Sequence, residues 1–261
     1  MTSSTSPTTA PEIRLDRVRV HYGRDKALHP TSLVARPGEI TALVGPSGCG
    51  KSTLLSAVNR MTDLVPGSRV GGTILIDGMS QQSFPVSRLR QIVGMVFQHP
   101  NPFPLSIRDN FHFPLKEHSV RGRAERDRRT RLVLESVGLW DEVRDRLDRS
   151  ALQLSGGQQQ RLCLARTLVL EPGVLLLDEP CSALDPISAQ IVEEHIHKLR
   201  EQYTILMVTH NLSQARRLSD TLAVFWQENG AGRLIESGPT GSVFDAPANP
   251  ITRDYCMGVV G

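Results

Sequence analysis

Apolar residues near the start of the chain fall at 13 and 15, then at 18, 20 and 22. Period two with one slip predicts a strand that carries a bulge. Pro37-Gly38-Glu39 reads as a turn. ITALVG at 40–45 is a continuous apolar run, the pattern of a buried strand. It runs straight into GPSGCG, after which KSTLLSAVNRM takes up helical spacing. TILIDG at 73–78 and VGMVFQ at 93–98 are two further short strands.

The rhythm then changes. Residues from about 99 to 153 hold the proline-rich HPNPFPL, the charged RGRAERDRRTRLVLESVGL and WDEVRDRL. Their periodicity is helical, with turn signals at Gly122 and Gly138. The basic cluster at 121–131 is interrupted by Glu125 and Asp127, which favours a solvated helix face over a nucleic-acid patch. After LSGGQQQRLCLAR the strand and helix alternation returns. VLLLDEP (174–180) is a strand end, SAQIVEEHIHKLREQ an amphipathic helix, TILMVTH (204–210) a strand and LSQARRLSD helical. TLAVFWQ (221–227) and RLIESG (233–238) look like paired strands. Alternation of this kind predicts an α/β core with a mostly parallel sheet, interrupted by a helical insert at about 99–165.

Bulk properties narrow the function classes. A chain of 261 residues fits one or two domains. Its 39% hydrophobic and 22% charged content is that of an ordinary soluble globular protein. Thirty basic against 27 acidic residues leave a net charge of +3, too balanced to argue for nucleic acid. No run approaches the roughly 18–20 apolar residues that span a bilayer. MTSSTSPTTAP lacks the basic and apolar regions of a secretory leader, and its Ser/Thr/Pro content predicts a disordered tail over 1–11. Cys49, Cys163, Cys181 and Cys256 are widely separated, so reduced thiols of a cytosolic protein are expected. Cys49 stands inside the glycine-rich loop and reads as a small filler residue there.

The chemistry begins at that loop. Gly45-Pro46-Ser47-Gly48-Cys49-Gly50-Lys51-Ser52 fits G-x-x-x-x-G-K-[ST], with Thr53 following. Its glycines let backbone N–H groups point inward, and the helix dipole adds positive potential there. Lys51 is placed to reach the β- and γ-phosphates of a nucleotide, and Ser52 to offer a hydroxyl to Mg²⁺. With glycine at about 7% of residues, a chance match is on the order of one in a hundred. The strand before and the helix after supply the required context.

Asp178 and Glu179 follow the apolar VLLL, at the end of a strand where open α/β sheets hold ligands. Asp178 is then the candidate for Mg²⁺, and Glu179 for the base that orients the attacking water. His210 ends another strand. Alone it would carry little, but after the loop and the acidic pair it becomes a candidate for the γ-phosphate. Gln98 likewise ends VGMVF, where its amide could reach Mg²⁺ or the water. Tyr22 closes the first strand and would either stack on adenine or pack at the sheet edge.

LSGGQQQRLCLAR raises a separate question. Ser155 would cap a helix, and Gly156 and Gly157 would leave its first amides open, which again suits an anion. Yet no lysine follows, and only one DE pair ends an apolar strand. The motif therefore reads as half of a site whose other half would be the glycine loop of a neighbouring copy; the alternative is a capped structural helix.

Taken in order, GPSGCGKS, Gln98, LSGGQ at 154–158, VLLLDEP, SALD at 182–185 and His210 resemble an ABC-type ATPase from residue 12 onward. The resemblance implies a P-loop NTPase core, an N-terminal antiparallel β-subdomain and a helical insert, in a single domain over 12–261. It implies ATP and Mg²⁺ as ligands: ATP phosphates on Gly45 to Thr53, the metal on Ser52, Gln98 and Asp178. Glu179 would be the catalytic carboxylate and His210 the γ-phosphate switch. Ser155, Gly156, Gly157 and Gln158 would face ATP held by the other subunit of a homodimer, and Asp185 would communicate across it. NRMTDLVPGSRVGGTILIDG, VGMVFQHPNPFPLSIRDN, LWDEVRDRL and TRDYCMG are similar to the ATPases of bacterial phosphate importers of the Pst type. PNPFP lies in the region that, in that family, meets the membrane subunits. That likeness implies two transmembrane permease subunits, a phosphate-binding protein, no nucleic acid, and a peripheral place on the cytoplasmic face of the cell inner membrane. Cys181 stands where the superfamily most often has threonine, and FHFPLKEHSV and AVFWQENGAGRL also depart from the usual pattern. The alternatives are an importer ATPase for another solute, such as a polar amino acid, and a non-transport ABC ATPase. The latter usually carries two nucleotide domains or long coiled coils.

Overall fold

The slip in the first apolar run is a bulge. β1 (Ile13–Tyr22) pairs antiparallel with β2 (Asp25–Ala35), and the register shifts between Leu15 and Val18. Arg17 takes φ +48° at that point. The computed structural model describes residues 10–260. The tail expected over 1–11 lies outside these residues except for its last two, and Pro11 offers its carbonyl to Thr204 Oγ1 at 2.7 Å.

The first half continues with β3 (Ile40–Val44), α1 (Lys51–Val58), β4 (Ser68–Ile76), β5 (Met79–Ser80), α2 (Val86–Ile92) and β6 (Val93–Val96). Four helices follow: α3 (Asp109–Glu117), α4 (Arg123–Ser136), α5 (Trp140–Val143) and α6 (Gly156–Leu168). Then come β7 (Val174–Asp178), α7 (Pro186–Leu199), β8 (Thr204–Val208) and α8 (Leu212–Leu218). The chain closes with β9 (Thr221–Glu228), β10 (Ala231–Pro239), α9 (Thr240–Asp245) and α10 (Pro250–Cys256).

The sheet has ten strands in the order β5-β4-β1-β2-β10-β9-β3-β8-β7-β6. From β9 to β6 every neighbour pair is parallel. The strands of the other end pair antiparallel, with one parallel contact joining β10 to β2 at Gly232 and Leu28. The expected mostly parallel core and antiparallel N-terminal part are therefore both present.

Continuous apolar runs formed the parallel strands because both of their faces are covered. All five residues of β3 are buried. Ile40, Ala42 and Val44 point into one core, together with α3, α4, α6, α7 and α8. Leu43 points into the other, with α1 and the inward faces of β1, β2 and β4. Each fully buried Leu or Ile contributes roughly 1.5–3 kcal/mol. A one-residue slip in β3 would exchange the two sets.

The basic stretch at 121–131 is a solvated helix face. Arg128 and Arg129 both bind Glu125, at 2.7 and 2.8 Å, and Arg123 lies 3.6 Å from Asp127.

Candidate functional site

Parallel register brings the polar strand ends together. Leu43 pairs with Val208, Asp178 with Val208, and Leu177 with Val96. Four strands thus finish level, and the residues after them emerge along one edge. Gly45 follows β3, Glu179 follows β7, Thr209-His210 follow β8 and Phe97-Gln98 follow β6. A cavity of about 460 Å³ there is lined by Ser47 to Thr53, Gln98, Glu179 and His210.

The glycine loop is held from several directions. Gly45 has φ +140°, and a Cβ there would meet the Phe225 carbonyl oxygen at 2.1 Å. Lys51 is buried. Its ammonium donates to the carbonyls of Gly45 and Pro46, at 2.7 and 2.8 Å, and to Cys49 Sγ at 3.4 Å. The lysine closes the loop on itself, with its charge beside the space where phosphates would lie. Cys49 is fully buried, and burial raises its thiol pKa against the opposing charge of Lys51. It is a packing residue here, as the sequence suggested.

Ser52 Oγ donates to Asp178 Oδ1 at 2.8 Å. Burial raises the Asp178 pKa, the Ser52 hydrogen bond opposes this, and the neighbouring Glu179 charge adds to the rise. Glu179 is a non-glycine residue in the left-handed region, at φ +46°. Its N–H donates to the Val208 carbonyl at 3.0 Å, and Ser182 Oγ donates to its carbonyl at 3.1 Å. Such strain, typically about 1–3 kcal/mol, persists where the surroundings over-determine it. Its carboxylate accepts from Gln98 Nε2 at 3.0 Å and lies 2.9 Å from His210 Nδ1. Two candidates from neighbouring strand ends, Gln98 and His210, thus converge on one oxygen of the third, Oε2 of Glu179.

The other candidates stand apart from this cavity. Ser155 caps α6: its Oγ accepts from the Gln158 N–H, and Gln158 Oε1 accepts from the Ser155 N–H. This reciprocal arrangement is a capping box. Gly156 is exposed, with no atom within 4 Å of an added Cβ. Gly157 is buried, and a Cβ on it would meet Ser188 Oγ at 2.6 Å. Asp185 caps α7 by accepting from the N–H groups of Ile187 and Ser188, both at 3.1 Å. The Gly157 and Ser188 contact therefore sets the two helix starts side by side. Tyr22 ends β1 half-buried against the second core and does not line the cavity.

Two supporting residues escaped sequence reasoning. Glu142 Oε2 accepts from Gln158 Nε2 at 2.7 Å, while its Oε1 binds the buried Arg161 at 2.8 Å. Tyr255 Oη accepts from the Gly45 N–H at 3.1 Å, across 210 residues of chain. Neither carries a local signal, since a glutamate on a polar helix and a tyrosine near an amphipathic end look ordinary. Cys181 lies beyond Glu179 in a second cavity, of about 610 Å³, and its thiol is pushed up to about 12 by burial and by Glu193.

A capped SGGQ helix, which does not line the cavity at its own chain's phosphate loop, sets this fold apart from other loop-and-sheet nucleotide hydrolases. The chain belongs to the ABC transporter family, whose sequence profile matches residues 28–182. It binds ATP and is an ATPase. Among curated proteins it is 53% identical, over 95% of this chain and 91% of the other, to the phosphate import ATP-binding protein PstB 1 of Nitrosococcus oceani. Among solved structures it resembles a bacterial Atm1-family ABC exporter with ATP bound, at 27% identity and a TM-score of 0.79 over 98% of this chain. The match covers 44% of that exporter, so this chain corresponds to less than half of its length.

Proposed function

We propose that the chain is the ATP-hydrolysing subunit of a membrane importer for inorganic phosphate. The observation that carries the substrate is the 53% identity, across nearly the whole chain, to a protein named for phosphate import. PNPFP and the closing TRDYCMG add to it. We take residues 12–261 as one ATPase domain, with a helical subdomain at about 99–165.

In this reading the amides from Gly45 to Thr53 hold the ATP phosphates. Lys51 exchanges the Gly45 and Pro46 carbonyls for the β- and γ-phosphates. Tyr22 stacks on adenine from the end of β1. Glu179 takes a proton from the attacking water, and Gln98 and His210 fix its carboxylate. Mg²⁺ prefers oxygen ligands, usually one or two carboxylates with phosphates and water. The Ser52 hydroxyl and Asp178 carboxylate, 2.8 Å apart beside the loop, fit it, and Gln98 lies across the same cavity. Bound there, the ion would neutralise charge on the phosphates.

Ser155, Gly156, Gly157 and Gln158 act on the ATP of a second copy, so the working form is a homodimer with two shared sites. Asp185 lies beside that start and links the two. Among the described residues no helix is long and apolar enough to cross a membrane. Attachment then needs permease subunits, two per complex, fed by a phosphate-binding protein. Exposed Leu105, Phe113 and Leu152 suit such a contact. Their backbones and neighbours are tied together: the Leu105 carbonyl accepts from the N–H of Ala151, next to Leu152, and Phe113 meets Phe103 edge-on. The Gln98–Ser106 segment joins this face to the cavity and would carry closure to the membrane subunits.

Deletion of the gene should abolish high-affinity phosphate uptake, restored by the wild-type chain and not by Glu179→Gln. Undiminished phosphate uptake in a strain with no second importer would reject the substrate. Loss of a different solute's uptake would replace it.

A further inference from the structure

We infer that Tyr255, on the C-terminal helix, is a positioning residue for nucleotide binding: its hydroxyl fixes the first peptide of the phosphate loop. Gly45 is where the chain leaves β3. The last residue before it, Val44, still pairs with Val224 of β9. The Gly45 N–H therefore leaves the sheet ladder and needs another acceptor. Tyr255 Oη supplies one at 3.1 Å, in a buried setting. The carbonyl of the same residue accepts from Lys51 Nζ at 2.7 Å. One residue, Gly45, thus connects the tyrosine on its N–H to the lysine on its carbonyl, the lysine that must turn to the phosphates.

The tyrosine is itself well fixed. It is 6% exposed, and its ring meets Trp226 edge-on, with centroids 6.0 Å apart. Its helix starts with Asn249 Oδ1 accepting from the Ile251 N–H. Glu236 of β10 accepts from the N–H groups of Ala248 and Asn249, at 2.8 and 3.0 Å. On the other side of Gly45, the Phe225 carbonyl leaves no room for a side chain. Gly45 is clamped between β9 and α10.

The consequence concerns binding rather than the chemical step. When Lys51 leaves the Gly45 and Pro46 carbonyls, the loop loses its internal closure. The Tyr255 bond does not involve the lysine and can persist. It keeps the loop amides aimed while the phosphates enter, which lowers the ordering cost of binding. Glu179, Gln98 and His210 hold one another without it.

The inference rests on the loop holding ATP, and the test separates the two. Tyr255→Phe removes only the hydroxyl. We expect its Kd for a fluorescent ATP analogue and its KM for MgATP to rise about 3- to 10-fold, with kcat within about twofold of wild type, on the scale of one lost hydrogen bond. Val137→Ala, a cavity in the helical part, serves as the control that lowers the melting temperature without moving Kd. A Tyr255→Phe protein that melts earlier but binds as wild type would reduce the hydroxyl to a structural role and overturn the inference. Failure of the wild type to bind ATP would instead overturn the functional reading. If Tyr255→Phe does not fold, amide exchange in the wild type decides. The Gly45 amide should be as protected as those of β3 with and without nucleotide, and exchange as fast as at Gly48 would overturn the inference.

Discussion

His210 and Glu179 meet side chain to side chain, with Nδ1 of the histidine 2.9 Å from Oε2 of the carboxylate. Gln98 Nε2 binds the same oxygen at 3.0 Å. Residues that share one atom act as a unit, so their losses do not add. Glu179→Gln and His210→Ala should each lower kcat by about 10²–10³. The double variant should be no slower than the worse single one. Phosphate release under saturating MgATP measures this; a multiplicative double effect would show two independent roles. Glu179→Gln should also accumulate as ATP-dependent dimers in size-exclusion chromatography.

Asp178 combines a functional placement with a stability cost. Its pKa is raised above the ordinary value near 3.8, chiefly by burial. A raised carboxyl pKa favours the neutral form in the folded state. That contribution is complete below 3.8 and is lost as pH rises through the folded value. At neutral pH the ionised group therefore weakens the nucleotide-free fold. Asp178→Asn should melt higher near pH 7, by about 2–4 °C per kcal/mol recovered. The gap from wild type should close as pH falls toward 3.8. The same variant should lose Mg²⁺-dependent hydrolysis. Calorimetry across pH, beside an ATPase assay, tests both halves.

Two loop glycines should respond differently to one methyl group. At Gly45 the added carbon meets the Phe225 carbonyl at 2.1 Å, whereas at Gly48 it meets nothing within 4 Å. Gly45→Ala should cost more than about 3 kcal/mol, above the usual 1–3 for an overpacked site, because backbone cannot rotate aside. Gly48→Ala should cost only about 1–2 kcal/mol, for its positive φ. Urea unfolding of the two proteins without nucleotide makes the comparison.

Glu142 should matter to assembly more than to binding. Its two oxygens hold Gln158 and Arg161 at 2.7 and 2.8 Å, and Arg161 is nearly buried. Glu142→Ala should cost about 1–3 kcal/mol, the price of leaving such donors unpaired. In the Glu179→Gln background it should weaken ATP-driven dimerisation while the monomer's affinity for ATP stays unchanged. Sedimentation and nucleotide titration on the same protein read the two effects. Equal loss of both would remove Glu142 from the support of α6.

Local patterning fixed much of this protein. β3, β7 and β8, each five residues long, carry continuous apolar runs with the length and pattern of strands covered on both faces. Gly-x-x-x-x-Gly-Lys-Ser, between an apolar strand and a helical run, marked a curled loop opening a helix. Ser155 and Gln158, three apart, could form their capping box unaided. These signals lie within a few residues, where sterics and hydrogen bonding act directly on sequence. β2 was missed for the opposite reason. Pro30 and a bulge interrupt its alternation, so pairing with β1, rather than propensity, makes it a strand. α2, α9 and α10 are short, and packing decides them.

Function at the site depends on alignment that no local pattern encodes. The strand ends are level because register in the parallel sheet was selected by two cores at once. That selection carries Gln98, Glu179 and His210, far apart in the chain, to one carboxylate oxygen. It also brings Tyr255 across 210 residues to the Gly45 amide. The sequence by itself determined which chemistry the loop and strand ends offer. Only the tertiary structure decided which groups share an atom, because a hydrogen bond needs placement within tenths of an ångström and only a packed core sets that.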